Sequence, residues 1–466
     1  MAKREVTFRQ DLVDKDIILS VKHLKQFFKT GFGANKFITK AVHDISFDIK
    51  KGEVFGLVGE SGCGKTTTGR SIIRLYDITS GSVYFKGFRV NGGTRWNEKE
   101  IKWKTIKAKR QIKELQEQMK SEIAEARSEF QEENEAIIAK ISDSYNVKIN
   151  RIKADLSELV AKQKDIIAQI KYDKKHVDSN YGKAQAQAEM EKWQPELAKY
   201  EGRELSPEEK LDYKKLKKEV NEKVRSARKL RMMSKMQMIF QDPSDSLDPR
   251  MTVEDIIQEG LVIQGFRNRA ENSKKVVEVL EKVGLIADYA SRYPHEFSGG
   301  QRQRIGIARS LVMNPELLIC DEPISALDVS IRAQVINLLN DLKDELGLTI
   351  LFIAHDLSVV KYFCDKIAVM YFGEIVEMAS SEELFKHPLH PYTKSLLSSI
   401  PKPDPLSEKN RQRIIYNPVE AHDYTESKPK LHEILPDHFI LANEAELAAY
   451  NKEITKLDKA NKVKAE

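Results

Sequence analysis

The chain has 466 residues, 41% of them hydrophobic and 32% charged, so a large core is possible although part of the chain must be unusually polar. No apolar run approaches the ~20 residues that span a bilayer, which predicts no membrane-spanning helix. The start, MAKREVTFRQ, has no apolar stretch and predicts no secretory signal. Cys63, Cys320 and Cys364 lack CxxC spacing, which argues against a disulfide framework or a zinc knuckle and favours a reducing cytosolic setting.

The net charge of +6 comes from one segment of the chain. Residues 94–235 contain 34 basic and 26 acidic side chains, a net charge of +8, whereas the remaining residues have a net charge of −2. Because the basic excess is confined to one segment, a DNA-binding interpretation of the whole protein loses support.

Residues 17–92 predict short strands and turns around one helix, but residues 94–235 have a different character. No Gly or Pro occurs from Thr94 to Tyr181, and between positions 112 and 170 apolar residues recur about every 3.6 positions. This pattern predicts an outward helical hairpin with a break or bend. A further helix is predicted from Ser206-Pro207 to about Lys235, with Glu209 completing a capping box.

Short apolar runs separated by turn residues return in residues 236–400. The runs LLICDEP and LTILFIAHD are typical of buried parallel strands. From Pro401 the chain is Pro-rich, and residues 442–466 predict a charged terminal helix. The chain therefore divides into four predicted parts: 17–92, 93–235, 236–400 and 401–466.

A glycine-rich loop follows the apolar strand at Val54–Val58 and precedes a helix, with the GxxxxGK[ST] pattern of a phosphate-binding loop. Glycines let backbone amides approach phosphate oxygens, and the helix N-terminus favours negative charge. We expect Lys65 to reach the β- and γ-phosphates of ATP, Thr66 to ligate Mg²⁺ and Thr67 to bind a phosphate oxygen. A glycine-rich turn without function is the alternative. The predicted nucleotide ligands here are Gly59, Glu60, Ser61, Gly62, Cys63, Gly64, Lys65, Thr66 and Thr67.

Two carboxylates end the apolar run Leu317–Cys320, at the strand edge where open α/β sheets bind ligands. We expect Asp321 to hold Mg²⁺ and Glu322 to act as the general base toward water, although acids at strand ends are often caps or ion pairs. His355 ends another predicted strand and would face the same edge, unless its role is only structural. Ser298 and the following glycines form a possible second anion site, for which an ordinary helix N-cap is the simpler interpretation.

Together these motifs resemble the nucleotide-binding domain of ATP-binding cassette (ABC) proteins. GESGCGKT matches Walker A, FSGGQ the signature, LLICDE Walker B and SALD the D-loop, while Gln241 fits the Q-loop and His355 the switch histidine. The resemblance implies an α/β P-loop NTPase fold with an antiparallel β subdomain and a helical signature subdomain, here with a long inserted helical arm. It also implies a catalytic role for Gln241 and His355 and a metal contact by Gln241.

The stretches IFQDPSDSLDPRMTV, RYPHEFSGGQRQRIGIARSL and HPYTKSLLSSIPKPDP, and also LHEILPDHFI, resemble the F-type ATP-binding subunit of oligopeptide/dipeptide permeases. That resemblance implies an ATPase at the cytoplasmic face of the membrane that powers oligopeptide uptake. The implied partners are a second, D-type ABC ATPase subunit, two transmembrane permease subunits and, indirectly, an extracytoplasmic peptide-binding protein, but no nucleic acid.

In this family two cassettes pair head to tail and sandwich ATP between them. The resemblance therefore implies that the signature acts on ATP held by the partner and that the D-loop lies nearby. Phe28 aligns best with the aromatic residue that stacks on adenine, Phe27 is the runner-up, and core packing is the alternative. The residues concerned in the signature and D-loop are Ser298, Gly299, Gly300, Gln301 and Asp328.

The sequence departs from the family in two ways. No cysteine follows Cys364, so we predict no iron–sulfur cluster of the kind that some relatives hold near the C-terminus. In addition, 176 positions separate Lys65 from Gln241, many more than is typical, so residues 93–235 are predicted to be an insertion. The insertion is interpreted as a solvated decoration or as an arm that contacts a partner or an anionic membrane surface.

Two other functions of ABC proteins are alternatives to transport. ABC ATPases of DNA maintenance carry a coiled-coil arm, but after the Q-loop, whereas here the arm precedes Gln241 and has no CxxC hook. Translation-factor ABC proteins carry two cassettes, whereas this chain has one set of motifs. Both comparisons favour transport.

Overall fold

The computed structural model describes residues 4–31, 35–129, 134–200, 202, 204, 206–242, 246–325, 327–400, 413–425 and 427–465. Ala326 of the SALD motif and residues 243–245 after the Q-loop lie outside the described residues, as does the stretch 401–412. No helix within the described ranges combines the length and the apolar character that crossing a membrane requires.

The described residues form twelve strands and fourteen α-helices, and the charged segment up to Ala227 contains helices but no strand among its described residues. The strands are β1 (Ile17–Thr30), β2 (Phe37–Lys50), β3 (Val54–Val58), β4 (Ser80–Phe85), β5 (Phe88–Gly92), β6 (Met236–Ile239), β7 (Leu317–Asp321), β8 (Thr349–Ala354), β9 (Lys366–Tyr371), β10 (Glu374–Ser380), β11 (Lys430–Leu435) and β12 (His438–Ala442). The helices are α1 (Gln10–Asp14), α2 (Lys65–Ile72), α3 (Arg95–Glu129), α4 (Asn134–Ala198), α5 (Pro207–Ala227), α6 (Val253–Ile263), α7 (Arg269–Lys282), α8 (Gly299–Leu311), α9 (Val329–Leu346), α10 (Leu357–Phe363), α11 (Ser381–Lys386), α12 (Pro391–Ser398), α13 (Pro418–Ala421) and α14 (Glu444–Ala465).

The central sheet has the strand order β11-β12-β10-β9-β3-β8-β7-β6, and its middle strands are parallel. The predicted strands at LLICDEP and LTILFIAHD are confirmed as β7 and β8, and every residue of both is buried. Because parallel strands end at one edge, the loops after β3, β7 and β8 meet there. The hairpin β11–β12 adds two antiparallel strands through β10, which the sequence analysis did not predict.

Alternate residues of the central strands enter two different cores, as the strand period of two requires. Phe55, Ile319 and Ile353 face a core shared with α2 and with the antiparallel sheet β2-β1-β4-β5. Leu318 and Phe352 face the opposite core, which helices α6 to α9 cover. The predicted α/β class with a separate antiparallel β part and helical part is confirmed.

The charged segment forms three helices. Helices α3 and α4 run antiparallel, since Asn97 donates to Gln163 at 2.6 Å and the Tyr145 hydroxyl donates to Glu122 at 2.5 Å. Residues 130–133, between these two helices, lie outside the described residues. Helix α4 has 65 residues and is therefore about 97 Å long at 1.5 Å per residue.

The middle of α4 packs on the cassette rather than projecting away from it. Asp173 is fully buried, accepts from the Thr7 amide at 2.9 Å and lies 3.3 Å from the Arg89 guanidinium. Val177 and Tyr181, further along the same helix, are buried in the core under the antiparallel sheet. Apolar residues of α4 thus serve in part to dock the insertion on the cassette.

Beyond this contact α4 pairs with α5 in a second antiparallel hairpin, in which the Lys223 ammonium lies 4.0 Å from the centre of the Trp193 ring. The structure therefore has two hairpins that share α4, where we expected one. The predicted capping box of Ser206 and Glu209 is confirmed, but the predicted helix end at Lys235 is wrong. Helix α5 stops at Ala227 because the chain must turn to bury Met232 and enter β6.

We predict that Asp173→Ala lowers the free energy of unfolding by about 3 kcal/mol, because it leaves the Arg89 charge and the Thr7 amide without their partner. Denaturant unfolding of the full chain measures this. The matched control is Asp165→Ala, which breaks the solvent-exposed pair with Arg4 and should cost less than about 1 kcal/mol. Equal effects of the two variants would show that the buried carboxylate does not anchor α4.

Candidate active site

The glycine-rich loop, residues 59–66, connects β3 to α2 and needs glycine at fixed places. Gly59 and Gly64 have φ angles of 152° and 107°. A Cβ atom on Gly64 would lie 2.2 Å from the Ala41 carbonyl oxygen, and one on Gly59 would lie 2.2 Å from that of Met370. The loop can therefore keep this shape only without side chains at both positions.

Lys65 is the first residue of helix α2, and its side chain is hydrogen-bonded to the start of the loop. Its ammonium donates to the carbonyl oxygens of Gly59 at 2.8 Å and Glu60 at 2.9 Å, and the residue is only 4% exposed. Cys63, also in the loop, is buried, and burial raises the pKa of its thiol. The loop thus presents a fixed cation and the N-terminal amides of α2, which together suit a phosphate group.

Thr66 and Asp321 come together where α2 begins and β7 ends. The Thr66 hydroxyl donates to Asp321 Oδ1 at 2.8 Å, and Asp321 is fully buried. The other carboxylate oxygen, Oδ2, has no hydrogen-bond partner among the described residues, and burial raises the pKa of the Asp321 carboxyl. A buried carboxylate with an unused oxygen beside a hydroxyl is a donor set that fits Mg²⁺.

Glu322 is the predicted general base. In the structure its side chain contacts Gln241 and His355, the other two predicted catalytic residues. Gln241 Nε2 donates to Glu322 Oε2 at 3.3 Å, and His355 Nδ1 lies 3.0 Å from the same oxygen. Glu322 itself has a φ angle of 46°, which is costly for a residue with a side chain. With this backbone conformation, the Glu322 carboxylate lies beyond the end of β7, next to Gln241 and His355.

The signature residues lie at the exposed start of helix α8. Ser298 and Gln301 form a reciprocal capping box, with N···O distances of 3.0 and 3.3 Å, so the simpler interpretation as an N-cap is correct for this chain alone. Ser298 and Gly299 are exposed and Gly300 is half-buried. None of them lines the cavity above the phosphate loop. The signature and this loop are therefore separate sites within one chain.

Three other predicted site residues have partners within the chain. Asp328 is the N-cap of α9, where the Ile331 amide and the Ser330 hydroxyl lower the pKa of its carboxyl. The Phe28 ring meets Tyr76 edge to face at a centroid distance of 5.2 Å, and the Phe27 ring stacks on His43 at 6.3 Å. Both phenylalanines are only half-buried.

A cavity of about 670 Å³ lies above the phosphate loop, and the C-terminal part of the chain forms one of its walls. The first wall is the predicted site: Gly59, Glu60, Ser61, Glu322 and His355. The second wall includes Tyr371, Tyr392, Ser395, Arg413 and Tyr416. Sequence reasoning missed the second wall. The run HPYTKSLLSSIPKPDP was its one signal, and that run carries no motif whose chemistry points to a nucleotide.

Comparison with family models covers both the cassette and the C-terminal part. A model described as ABC transporter matches residues 42–210 and 201–325. The chain belongs to the ABC transporter family. A second model, described as oligopeptide/dipeptide transporter, C-terminal region, matches residues 376–429, the stretch that forms much of the second cavity wall.

Relatives of this ABC protein match it along almost their whole length. The oligopeptide transport ATP-binding protein OppF of Bacillus subtilis is 41% identical over 436 residues, covering 93% of this chain and 99% of its own. OppF of Streptococcus pyogenes serotype M1 is 39% identical, covering 94% and 99%. The dipeptide transport ATP-binding protein DppF of Lactococcus lactis is 38% identical, covering 94% and 98%. The resemblance to permease ATP-binding subunits is confirmed.

Proposed function

We propose that this chain binds and hydrolyses ATP to power the uptake of oligopeptides through separate transmembrane subunits. The observation that carries the proposal is the meeting of Gln241, Glu322 and His355 next to the Thr66–Asp321 pair, at the end of a phosphate-binding loop. The substrate class rests on the names of the relatives and on the match of residues 376–429. The DNA-maintenance alternative is not favoured.

The triphosphate of ATP would lie along the loop, with the Lys65 ammonium and the α2 amides against the β- and γ-phosphates. Glu322 takes a proton from the attacking water, and His355 and Gln241 hold its carboxylate in place from two sides. Thr66, Asp321 and Gln241 would hold Mg²⁺. When bound, that ion would neutralise charge on the phosphate oxygens.

The signature residues would act in trans. The N-terminal end of α8 carries Ser298, Gly299, Gly300 and Gln301, whose amides and hydroxyl can meet the γ-phosphate of ATP held by a second cassette. Asp328 would lie at the same interface. The second cassette would be a D-type ABC subunit, giving a heterodimer. Phe28 is the proposed adenine-stacking residue, and Phe27 is the alternative.

The transmembrane subunits would dock in an apolar groove of about 280 Å³ beside the Q-loop. The groove lies between the chain after α2 and helices α6 and α8, and its walls include Leu75, Leu247 and Ile263. Leu75 and Ile263 are 55% and 68% exposed, so two large apolar side chains of the same groove are open to solvent. Docking there would link Gln241 to the membrane subunits, and the chain would sit at the cytoplasmic face of the membrane. An extracytoplasmic peptide-binding protein would act through the same subunits.

We also propose that the chain divides into cassette parts 17–92 and 236–400, an insertion 93–235 and a C-terminal extension 401–466. The insertion interrupts the cassette between β5 and β6, yet Gln241, which follows it, still meets Glu322 and His355 in the fold. It serves as a solvated decoration or as an arm toward a partner or an anionic membrane surface, and no nucleic acid is expected to bind it.

We predict that Glu322→Gln lowers ATP turnover by roughly 10²-fold or more while ATP binding survives, because the amide keeps the shape but cannot accept the proton. Steady-state phosphate release and equilibrium ATP binding by the assembled transporter measure the two effects. Glu345→Gln, which alters a surface pair with Lys282, is the control and should leave both unchanged. Undiminished turnover in Glu322→Gln would reject the role of this residue.

We predict that Ile263→Asp reduces co-purification of the transmembrane subunits by about tenfold or more, because a partner would have to bury an unpaired carboxylate. ATP binding by the isolated chain should not change. Ile286→Asp is the matched control, since Ile286 is 55% exposed but does not line the groove. If the two variants retain the transmembrane subunits equally well, the groove is not the docking site.

A further inference from the structure

The phosphate loop is hydrogen-bonded to a tyrosine of the C-terminal part of the chain. The Glu60 amide, the second residue of the loop, donates to the Tyr392 hydroxyl at 3.0 Å. Tyr392 is 1% exposed, and its ring packs against those of Tyr371 and Tyr416 at centroid distances of 4.5 and 5.4 Å. The hydroxyl is therefore held at a fixed place beside the loop.

The carbonyl of the same loop residue is also bound. Glu60 O accepts from the Lys65 ammonium at 2.9 Å, while Glu60 N donates to Tyr392. Two anchors on one residue restrict its rotation, and one of them is the lysine that must meet the phosphates. The position of Lys65 is thus coupled to the hydroxyl of Tyr392 through a single residue.

The first turn of α12, which carries Tyr392, is fixed by a buried carboxylate. Glu377 is fully buried on β10 and accepts from the amides of Leu389 at 2.8 Å and His390 at 3.0 Å. His390 Nδ1 in turn accepts from the Tyr392 amide at 3.1 Å, and burial lowers the pKa of His390 to about 3. His390 is therefore neutral near pH 7 and free to act as this acceptor.

The C-terminal hairpin closes the network. His438 on β12 is fully buried, and its Nε2 atom lies 2.9 Å from Glu377 Oε1. A continuous set of hydrogen bonds thus runs from β12 through Glu377 and the start of α12 to Tyr392 and the phosphate loop. Every side chain in it lies in residues 376–442, outside the cassette motifs.

We propose that Tyr392 is a positioning residue that holds the phosphate loop ready for nucleotide, and that His438 of the C-terminal extension supports it through Glu377 on β10. The proposal rests on the proposed function, since it concerns how the same loop receives ATP. A loop that is ordered before binding loses less conformational freedom when the triphosphate arrives. Tyr392 therefore acts on nucleotide affinity and not on the proton transfer at Glu322.

The test is Tyr392→Phe in the full chain, which keeps the ring and removes only the hydroxyl. We expect the Kd for Mg-ATP and the KM for ATP to rise about fivefold, the size expected for the loss of one neutral hydrogen bond. The kcat at saturating ATP should stay within about twofold, because Glu322 and its neighbours are untouched. Isothermal titration and initial rates measure the two effects.

Tyr181→Phe is the matched control. The Tyr181 ring is likewise buried, in the core under the antiparallel sheet, and Tyr181 does not line the cavity above the phosphate loop. This variant should leave Kd and KM unchanged. An unchanged Kd for Mg-ATP in Tyr392→Phe, or an equal rise in Tyr181→Phe, would overturn the proposal. If the unaltered chain itself neither binds nor hydrolyses ATP, the proposed function fails instead.

Discussion

The parallel pairing of β3, β7 and β8 is the constraint on which the site depends. Val58 lies opposite Ala354, and Asp321 lies opposite Ile353, so the three strands end at one level of the sheet. The loops that follow these strands therefore lie side by side at one edge of the sheet. The acidic pair is about 260 positions from the phosphate loop in sequence, and His355 is about 290 positions from it, yet all three lie at this edge.

Two adjacent carboxylates have different surroundings because they lie on either side of the strand end. Asp321 is the last residue of β7, is fully buried and bonds the Thr66 hydroxyl. Glu322 has left the strand, and its left-handed backbone directs its carboxylate to Gln241 and His355. Such a conformation persists only where surrounding contacts impose it, and here the Glu322 amide is held by the Ile353 carbonyl at 3.0 Å.

Local patterns were enough to predict much of this site. The glycine spacing of residues 59–66, the apolar runs at β7 and β8 and the capping box at Ser206 each act within a few neighbours, so sequence alone shows them. Helix α5 ends at Ala227, earlier than the predicted Lys235. The helix period could not show this, because the end of the helix depends on the burial of Met232 in the core. The bond from Tyr392 to Glu60 spans 332 positions, and no local pattern carries such a contact.

The docking of the insertion also depends on contacts between residues far apart in sequence. The period of the insertion predicted helices, but not that buried Asp173 and Tyr181 would dock α4 on the cassette, since the partners of both lie far away in sequence. The C-terminal hairpin, likewise, joins the central sheet through β10 only once the whole fold is in place. Residues outside the motifs therefore complete both the sheet and the nucleotide site.

The central claim is that a nucleoside triphosphate lies against the loop at residues 59–66, and equilibrium titration tests it most directly. Purified full chain is titrated with ATP in the presence of magnesium, in parallel with the Lys65→Ala variant. The account predicts saturable binding of one ATP per chain, weakened by about tenfold or more in the variant, because a charge-assisted contact to phosphate is lost. No measurable affinity in the unaltered chain, or equal affinity in the variant, would contradict it.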